Sequence, residues 1–292
     1  LPKEKIYVSV YEKDDEAFEL WNKRIGIPKE KIVRLGKKDN FWGPAGDSGA
    51  CGPCSELYID MGEEKGCHKE GCYVGCDCER YLEFWNLVFN EFFQDTDGKL
   101  SPLQNVGIDT GMGLERLCYI MQGAESNYQT DVMKPIVDAI SKKLNIKYED
   151  KNKTKINLIA DHLRALVFVI GEGCIPSNEG RGYVLRRLLR RALKTANDFG
   201  YKNAFLNEIT DSVINVYGCI YDNLPKEENN IKRILKEEEN KFINTISAGI
   251  NKLYSVMEDS KDKIIKGSDA FMLFDTYGLP LDMTEEEASE HG

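Results

Sequence analysis

The sequence predicts an α+β protein in which an antiparallel sheet with flanking helices precedes an all-helical region. Three observations carry this reading. Short stretches in the first half alternate apolar and polar residues between Gly- and Cys-rich turns, the period of half-buried strands. Beyond about residue 124, apolar residues recur at three- and four-residue spacing, the period of helices. The strands also lack the βαβ rhythm that a parallel sheet requires. With 292 residues, 41% hydrophobic and 30% charged, the chain has material for two ordinary domains. They are expected at 1–145 and 146–292.

The elements follow in order. "KIYVSVY" (5–11) reads as a strand, and "DDEAFELWNKRIG" as a short helix. "SELYIDMG" and "RYLEFWNLVFNEFFQ" are rich in β-branched and aromatic residues, and "DTDGKL" carries the Asp-Gly chemistry that returns a strand as a hairpin. "DVMKPIVDAISKKL", "INLIADHLRALVFVIGEG" and "RGYVLRRLLRRALKTANDFG" read as helices, the last ending at a glycine suited to a C-cap. In 226–259, Ile231, Leu235, Phe242 and Leu253 fall on one stripe among Lys and Glu, the pattern of a long helix with a solvated face.

Composition narrows the function. No apolar run approaches the ~20 residues that span a bilayer, and no signal peptide opens the chain. A formal charge of −10 argues against indiscriminate coating of nucleic acid but allows a local basic track. Nine cysteines without a secretory signal imply reduced thiols in a cytoplasmic chain, and metal binding ahead of disulfides.

"NVGIDTGMGLERL" (105–117) places three glycines, Asp109 and Arg116 at one junction. It is not a dinucleotide loop, because no third glycine follows Gly111 and Gly113 at the spacing that G-x-G-x-x-G needs. It reads better as a strand ending near a buried Ile108, a close-approach backbone at Gly111 and Gly113, then a helix. That helix, "LERLCYIMQG", would turn Leu114, Leu117, Cys118 and Met121 to the core. Arg116 in its first turn could grip phosphate with a planar fork, and Asp109 could hold an ammonium group. A structural ion pair between Arg116 and a carboxylate is an equal reading of the pattern.

Two further clusters stand out. Arg186, Arg187, Arg190, Arg191 and Lys194, with Arg181 before them, are uninterrupted by acids. Arg187, Arg190, Arg191 and Lys194 fall at helical spacing, a phosphate track unless they form a plain solvated face. "GCHKEGCYVGCDC" offers Cys67, Cys72, Cys76 and Cys78 within a dozen residues, with Gly66, Gly71 and Gly75 for tight turns. Four thiolates so close suit a structural Zn²⁺ knuckle, against unliganded reduced cysteines. Cys51 and Cys54 are left out as ligands.

The step "GMGLER" at 111–116 resembles motif 3 of class II aminoacyl-tRNA synthetases. The wider wording is similar to the alanyl-tRNA synthetase family in five ordered blocks: "DNFWGPAGDSGACGPCSELYID", "EFWNLVFNEFF", "IDTGMGLERL", "IADHLRALVFVIGEGCIPSNEGRGYVLRRLLRRA" and "FDTYGLPLDMT". The resemblance implies a class II antiparallel sheet that activates alanine with ATP and Mg²⁺, then charges the acceptor stem of tRNA(Ala). It assigns Arg116, Gly113 and Glu83 to the ATP end, and Trp42, Asn86, Val88, Asp109 and Gly111 to alanine. It assigns Asn178 and Asp275 to the acceptor-stem G·U pair, beside the phosphate track of Arg181, Arg186, Arg187, Arg190 and Arg191.

The chain opens on Leu1 rather than Met and shows neither motif 1 nor motif 2 of that family. It therefore reads as a fragment, expected to catalyse ATP–pyrophosphate exchange weakly or not at all when isolated. The alternative is a non-catalytic tRNA-binding module of the same descent. A methyl-sized pocket discriminates by only ~1–3 kcal/mol. With only His68, His162 and His291 here, editing is expected elsewhere.

Overall fold

A computed structural model describes residues 1–68, 72–260 and 264–291. Gly71 of the cysteine segment lies outside them. The chain forms two compact units, Leu1–Thr130 and Asp131–Gly292.

The first unit holds β1 (Ile6–Tyr11), α1 (Asp15–Glu19, continued by a π-helical turn to Ile25), β2 (Ile32–Leu35), α2 (Lys37–Asn40), β3 (Phe41–Trp42), β4 (Gly49–Asp60), β5 (Tyr81–Gln94), β6 (Leu100–Met112) and α3 (Leu114–Gln122). They make a six-stranded sheet ordered β2-β1-β4-β5-β6, with β3 paired to β4. Every pairing is antiparallel except β1 with β2. The β5–β6 hairpin closes where Asp95 Oδ1 accepts from the Asp97 and Lys99 amides (3.0 and 2.8 Å), and Gly98 adopts φ +80°, which favours glycine.

One sheet face is covered by α1. Val8, Val10, Ala17 and Ile32 are buried there, with Phe18, Trp21, Leu57 and Phe89 packed against them. The opposite face carries Ser9, Glu56 and Asn86 in register across β1, β4 and β5. β6 ends the sheet, which corrects two expectations. Ile108 is 65% exposed rather than buried, and on α3 Leu114 and Met121 lie outward while Tyr119 is buried. An edge strand has backbone and side chains on one flank with no neighbouring strand to cover them.

The second unit holds α4 (Lys134–Leu144), α5 (Asp150–Gly171), α6 (Gly180–Asp198), α7 (Asp211–Tyr217), α8 (Asn223–Asp259), α9 (Gly267–Asp275) and α10 (Leu281–His291). α4 thus groups with the helices, whereas a boundary at 145 placed it with the sheet. Ile156, Ile159, Leu163, Leu166 and Ile170 of α5 and Leu185 and Leu189 of α6 form its interior with Ile231, Leu235 and Phe242 of α8. Buried Glu239 closes the turn ahead of α7, accepting from the Phe205, Leu206 and Asn207 amides (2.8, 2.8 and 3.1 Å). Among the described residues no helix is long and apolar enough to cross a membrane.

Candidate active site

The sheet face opposite α1 collects the residues expected at the junction. Because side chains alternate along strands, cross-strand partners and every second residue share a face. Val88 pairs Asp109, Asn86 pairs Gly111, and on the other side Cys54 pairs Val88, Glu56 pairs Asn86 and Tyr58 pairs Glu83. The face is therefore read in rows: Cys54–Val88–Asp109, then Glu56–Asn86–Gly111, then, past a bulge opposite Leu57 and Tyr58 that returns Glu83 to this face, Tyr58–Glu83. At ~3.4 Å per residue, two such steps span about 14 Å. An extended aminoacyl group joined to a phosphate chain has that order of length.

Arg116 stands at the far end. The Gly113 amide donates to the Phe84 carbonyl (3.1 Å), anchoring the start of α3 against β5. A Cβ at Gly113 would meet the Arg116 side chain at 3.3 Å, so glycine gives that side chain its room. Arg116 Nη1 donates to the Glu83 carbonyl (2.7 Å) and to Glu83 Oε2 (3.2 Å). The ion pair read from the pattern therefore exists. It is open, with side-chain exposures of 45% and 35%, and such pairs contribute only ~0–1 kcal/mol, so an incoming phosphate can displace Glu83 at little cost. Arg116 and Glu83 line a cavity of about 400 Å³ with Glu56, Tyr58, Asp39 and the cysteine segment Gly75–Cys78.

At the other end Asp109 is exposed on β6, outside that cavity lining. A Cβ at Gly111 would meet nothing within 4 Å, so the space before it is open. Val88 and Asn86 are half-buried. Trp42 is 54% exposed on β3, opposite Gly52. At Gly52 a Cβ would lie 1.8 Å from the Phe89 carbonyl oxygen, which makes glycine mandatory.

Sequence reasoning missed Glu56. It is 7% exposed, and burial raises its carboxyl above the usual range. Its Oε2 accepts from the Tyr58 hydroxyl (2.5 Å) and Ser9 Oγ (3.3 Å), its Oε1 from Asn86 Nδ2 (2.9 Å). Burial, then the nearby Glu56 charge, pushes the Cys54 thiol up to about 12.

The cysteine cluster is assembled as the spacing predicts. The Sγ atoms of Cys67, Cys72, Cys76 and Cys78 lie within 4.8 Å of one another, with Cys67–Cys76 at 3.8 Å and Cys72–Cys78 at 3.5 Å. Tetrahedral zinc with Zn–S bonds of ~2.3 Å places its sulfurs about 3.8 Å apart, whereas a disulfide needs ~2.05 Å. The separations match the metal. The Arg80 backbone amide holds the Cys78 thiol down to about 7, despite opposing desolvation.

In the helical unit the basic residues divide. Arg186, Arg190 and Lys194 face inward. Arg186 forks onto buried Glu238 (2.5 and 3.3 Å). Arg190 donates to the Gly278 carbonyl (2.8 Å) and lies over the Phe242 ring (5.3 Å). Lys194, 3% exposed, pairs Glu287 (3.3 Å) and Asp198 (3.5 Å). The expected stripe is thus not one surface, since acids of α8 and α10 draw half of it inward. Arg181 and Arg187 remain exposed, Arg191 half-buried. Asn178 is exposed and accepts from Arg186 through Oδ1. Asp275 is exposed at the end of α9.

Comparison with known proteins adds an independent line. A family model described as "tRNA synthetases class II (A)" matches residues 1–292. Alanine–tRNA ligase of Desulforamulus reducens is 47% identical over 297 residues, covering 100% of this chain and 34% of the relative. Alanine–tRNA ligase of Caldicellulosiruptor saccharolyticus is 48% identical with the same coverage. That of Clostridioides difficile is 47% identical, covering 99% of this chain and 33% of the relative. The chain thus spans about a third of the length of these curated relatives.

Proposed function

The chain belongs to the class II tRNA synthetase (A) family, and on that premise we propose that it forms part of a cytoplasmic alanine–tRNA ligase. In this reading it supplies the alanine pocket, the γ-phosphate clamp and a surface for the tRNA(Ala) acceptor stem. The observation that carries it is the single sheet face running from Asp109 through Asn86 and Gly111 to Glu83 and Arg116. The relatives' printed name supplies the reaction class. A purely RNA-binding module has no use for a carboxylate and an arginine at the two ends of such a face.

The residues divide the work by charge. Asp109 pairs the alanine ammonium, Val88 and Trp42 wall its methyl group, and the open space at Gly111 admits it. Arg116 leaves Glu83 for the γ-phosphate, so binding and charge neutralisation are what this surface contributes to the attack of the carboxylate on ATP. Mg²⁺ would neutralise phosphate charge, and Glu83, once released from Arg116, would be a carboxylate to hold it. Replacing Asp109 with alanine is expected to raise the KM for alanine by about 10² or more in the complete ligase. A buried or shielded charge pair that loses one member costs ~2–5 kcal/mol. The KM for ATP should stay within twofold; an unchanged alanine KM would refute the pocket.

Domain roles follow the same proposal, with residues 1–145, the sheet unit and α4, catalytic and 146–292 directed to tRNA. Arg181, Arg187 and Arg191 are its phosphate contacts. Asn178, its oxygen engaged by Arg186, presents its NH₂ end, and Asp275 an acceptor, to base edges that A-form RNA exposes in its shallow groove. Arg181→Ala is expected to weaken tRNA binding uniformly and reduce the salt slope, with unchanged melting temperature. Lys194→Ala should instead destabilise the fold by ~3–5 kcal/mol, because it removes the cation beside buried Glu287, whose charge the Tyr254 hydroxyl (2.6 Å) does not neutralise. Equal effects of both substitutions on stability would contradict this division.

Zn²⁺ fits the knuckle by donor type and separation, held by Cys67, Cys72, Cys76 and Cys78. Its part is structural: it clips the loop whose residues Gly75–Cys78 wall the Arg116 cavity. No disulfide joins any of the nine cysteines, which agrees with a reducing compartment.

A further inference from the structure

We propose that Glu56 is a positioning residue for the amino-acid pocket, fixing which end of the Asn86 amide points toward the sheet interior. This rests on the reading that Asn86 belongs to that pocket. The supporting facts are geometric. Glu56 sits mid-strand on β4, directly between Ser9 and Asn86 in register. Asn86 in turn lies opposite Gly111. Three donors converge on the carboxylate: Asn86 Nδ2 on Oε1 (2.9 Å), Tyr58 Oη (2.5 Å) and Ser9 Oγ (3.3 Å) on Oε2. Ser9 Oγ is itself held by Asn40 Nδ2 (2.8 Å).

An ionised carboxylate only accepts hydrogen bonds, so the amide end that meets it must be NH₂. The flipped amide would set Oδ1 against Oε1, acceptor against acceptor. The held orientation leaves Asn86 Oδ1 buried with no hydrogen-bond partner among the described residues. A freely rotating amide would trade that state for a better-satisfied one, because buried polar groups are normally paired. Glu56 prevents the trade. The burial of Ser9 and Glu56 on this sheet face, with Asn40 of α2 bonded to Ser9, also has no evident benefit for stability, since apolar side chains of similar volume pack at no such cost. Its consequence is a pocket whose amide is set before substrate arrives.

The test is Glu56→Gln, an isostere whose amide both donates and accepts and therefore permits either Asn86 orientation. In the 292-residue chain, the Asn86 side-chain amide ¹H–¹⁵N signals, assigned by their loss in Asn86→Ala, are expected to be displaced and protected from exchange. Glu56→Gln should shift them and speed exchange. Glu56→Asp, which keeps an acceptor-only group, should preserve the orientation and serves if the glutamine variant does not fold. In the complete ligase, Glu56→Gln is expected to raise the alanine KM roughly tenfold with kcat and the ATP KM changed less than twofold. Unshifted Asn86 signals overturn the proposal, and so does a shifted amide with an unchanged alanine KM. Failure of the pocket reading itself shows separately, as an alanine KM insensitive to Asp109→Ala.

Discussion

Replacing Arg116 with alanine is expected to lower kcat/KM for ATP in alanine activation by about 10²–10³ in the complete ligase, the usual loss when a preorganised donor to a charged transition state is removed. The fold should not suffer. The Arg116–Glu83 pair is solvent-open, worth ~0–1 kcal/mol, so the melting temperature should hardly move. Lysine should rescue poorly, because Arg116 uses Nη1 alone on the Glu83 carbonyl and carboxylate, and a guanidinium keeps further donors for phosphate in a fixed plane that an ammonium lacks. This combination separates a phosphate clamp from an ion pair that merely ties α3 to β5. A structural pair would lower the melting temperature and leave ATP kinetics intact. Steady-state pyrophosphate exchange at varied ATP, with melting curves on the same samples, makes the distinction.

The second large effect belongs to the cysteine knuckle. The purified protein is expected to carry one zinc per chain, and Cys72→Ser to lose nearly all of it. Structural zinc sites contribute folding free energy outright, so the variant should melt earlier and be cleaved by proteases between β4 and β5. ATP affinity should also fall, because Gly75, Cys76, Asp77 and Cys78 line the same cavity as Arg116 and Glu83. Chelation followed by readdition of zinc should reverse the loss. Metal analysis showing unchanged zinc in Cys72→Ser, or zinc-free protein with undiminished ATP binding, would remove this role.

The hairpin of β5 and β6 was legible because its signals are local: β-branched and aromatic alternation on each side of an Asp-Gly turn. Placing the turn fixes the register only beside it; an irregularity between Asn90 and Phe92 then shifts the pairing, so that Asp109 and Gly111, not Val106 and Ile108, fall opposite Val88 and Asn86, and nothing local in the sequence announces that shift. The covering of β6 was not legible. Apolar Ile108, Leu114 and Met121 read as core, and periodicity identifies an apolar face without identifying what lies against it. The arginines of α6 failed for another reason. Local spacing cannot distinguish a solvated stripe from one whose partners, Glu238 of α8, Gly278 between α9 and α10, and Glu287 of α10, come from distant parts of the chain. Glu56 did leave a signal. In "CSELYID" an acid occupies the alternate position between Cys54 and Tyr58, where a half-buried strand should place an apolar residue, and such exceptions mark polar networks.

The most direct test uses a non-hydrolysable sulfamoyl analogue of alanyl-adenylate titrated into the complete ligase by calorimetry. It asks whether one surface holds both the ammonium and the nucleotide ends. The expected result is one bound analogue per chain, with affinity falling at least tenfold for Asp109→Ala, and a markedly weaker glycyl counterpart. Absence of binding, or binding that survives the loss of the Asp109 carboxylate, would contradict the assignment of this sheet face.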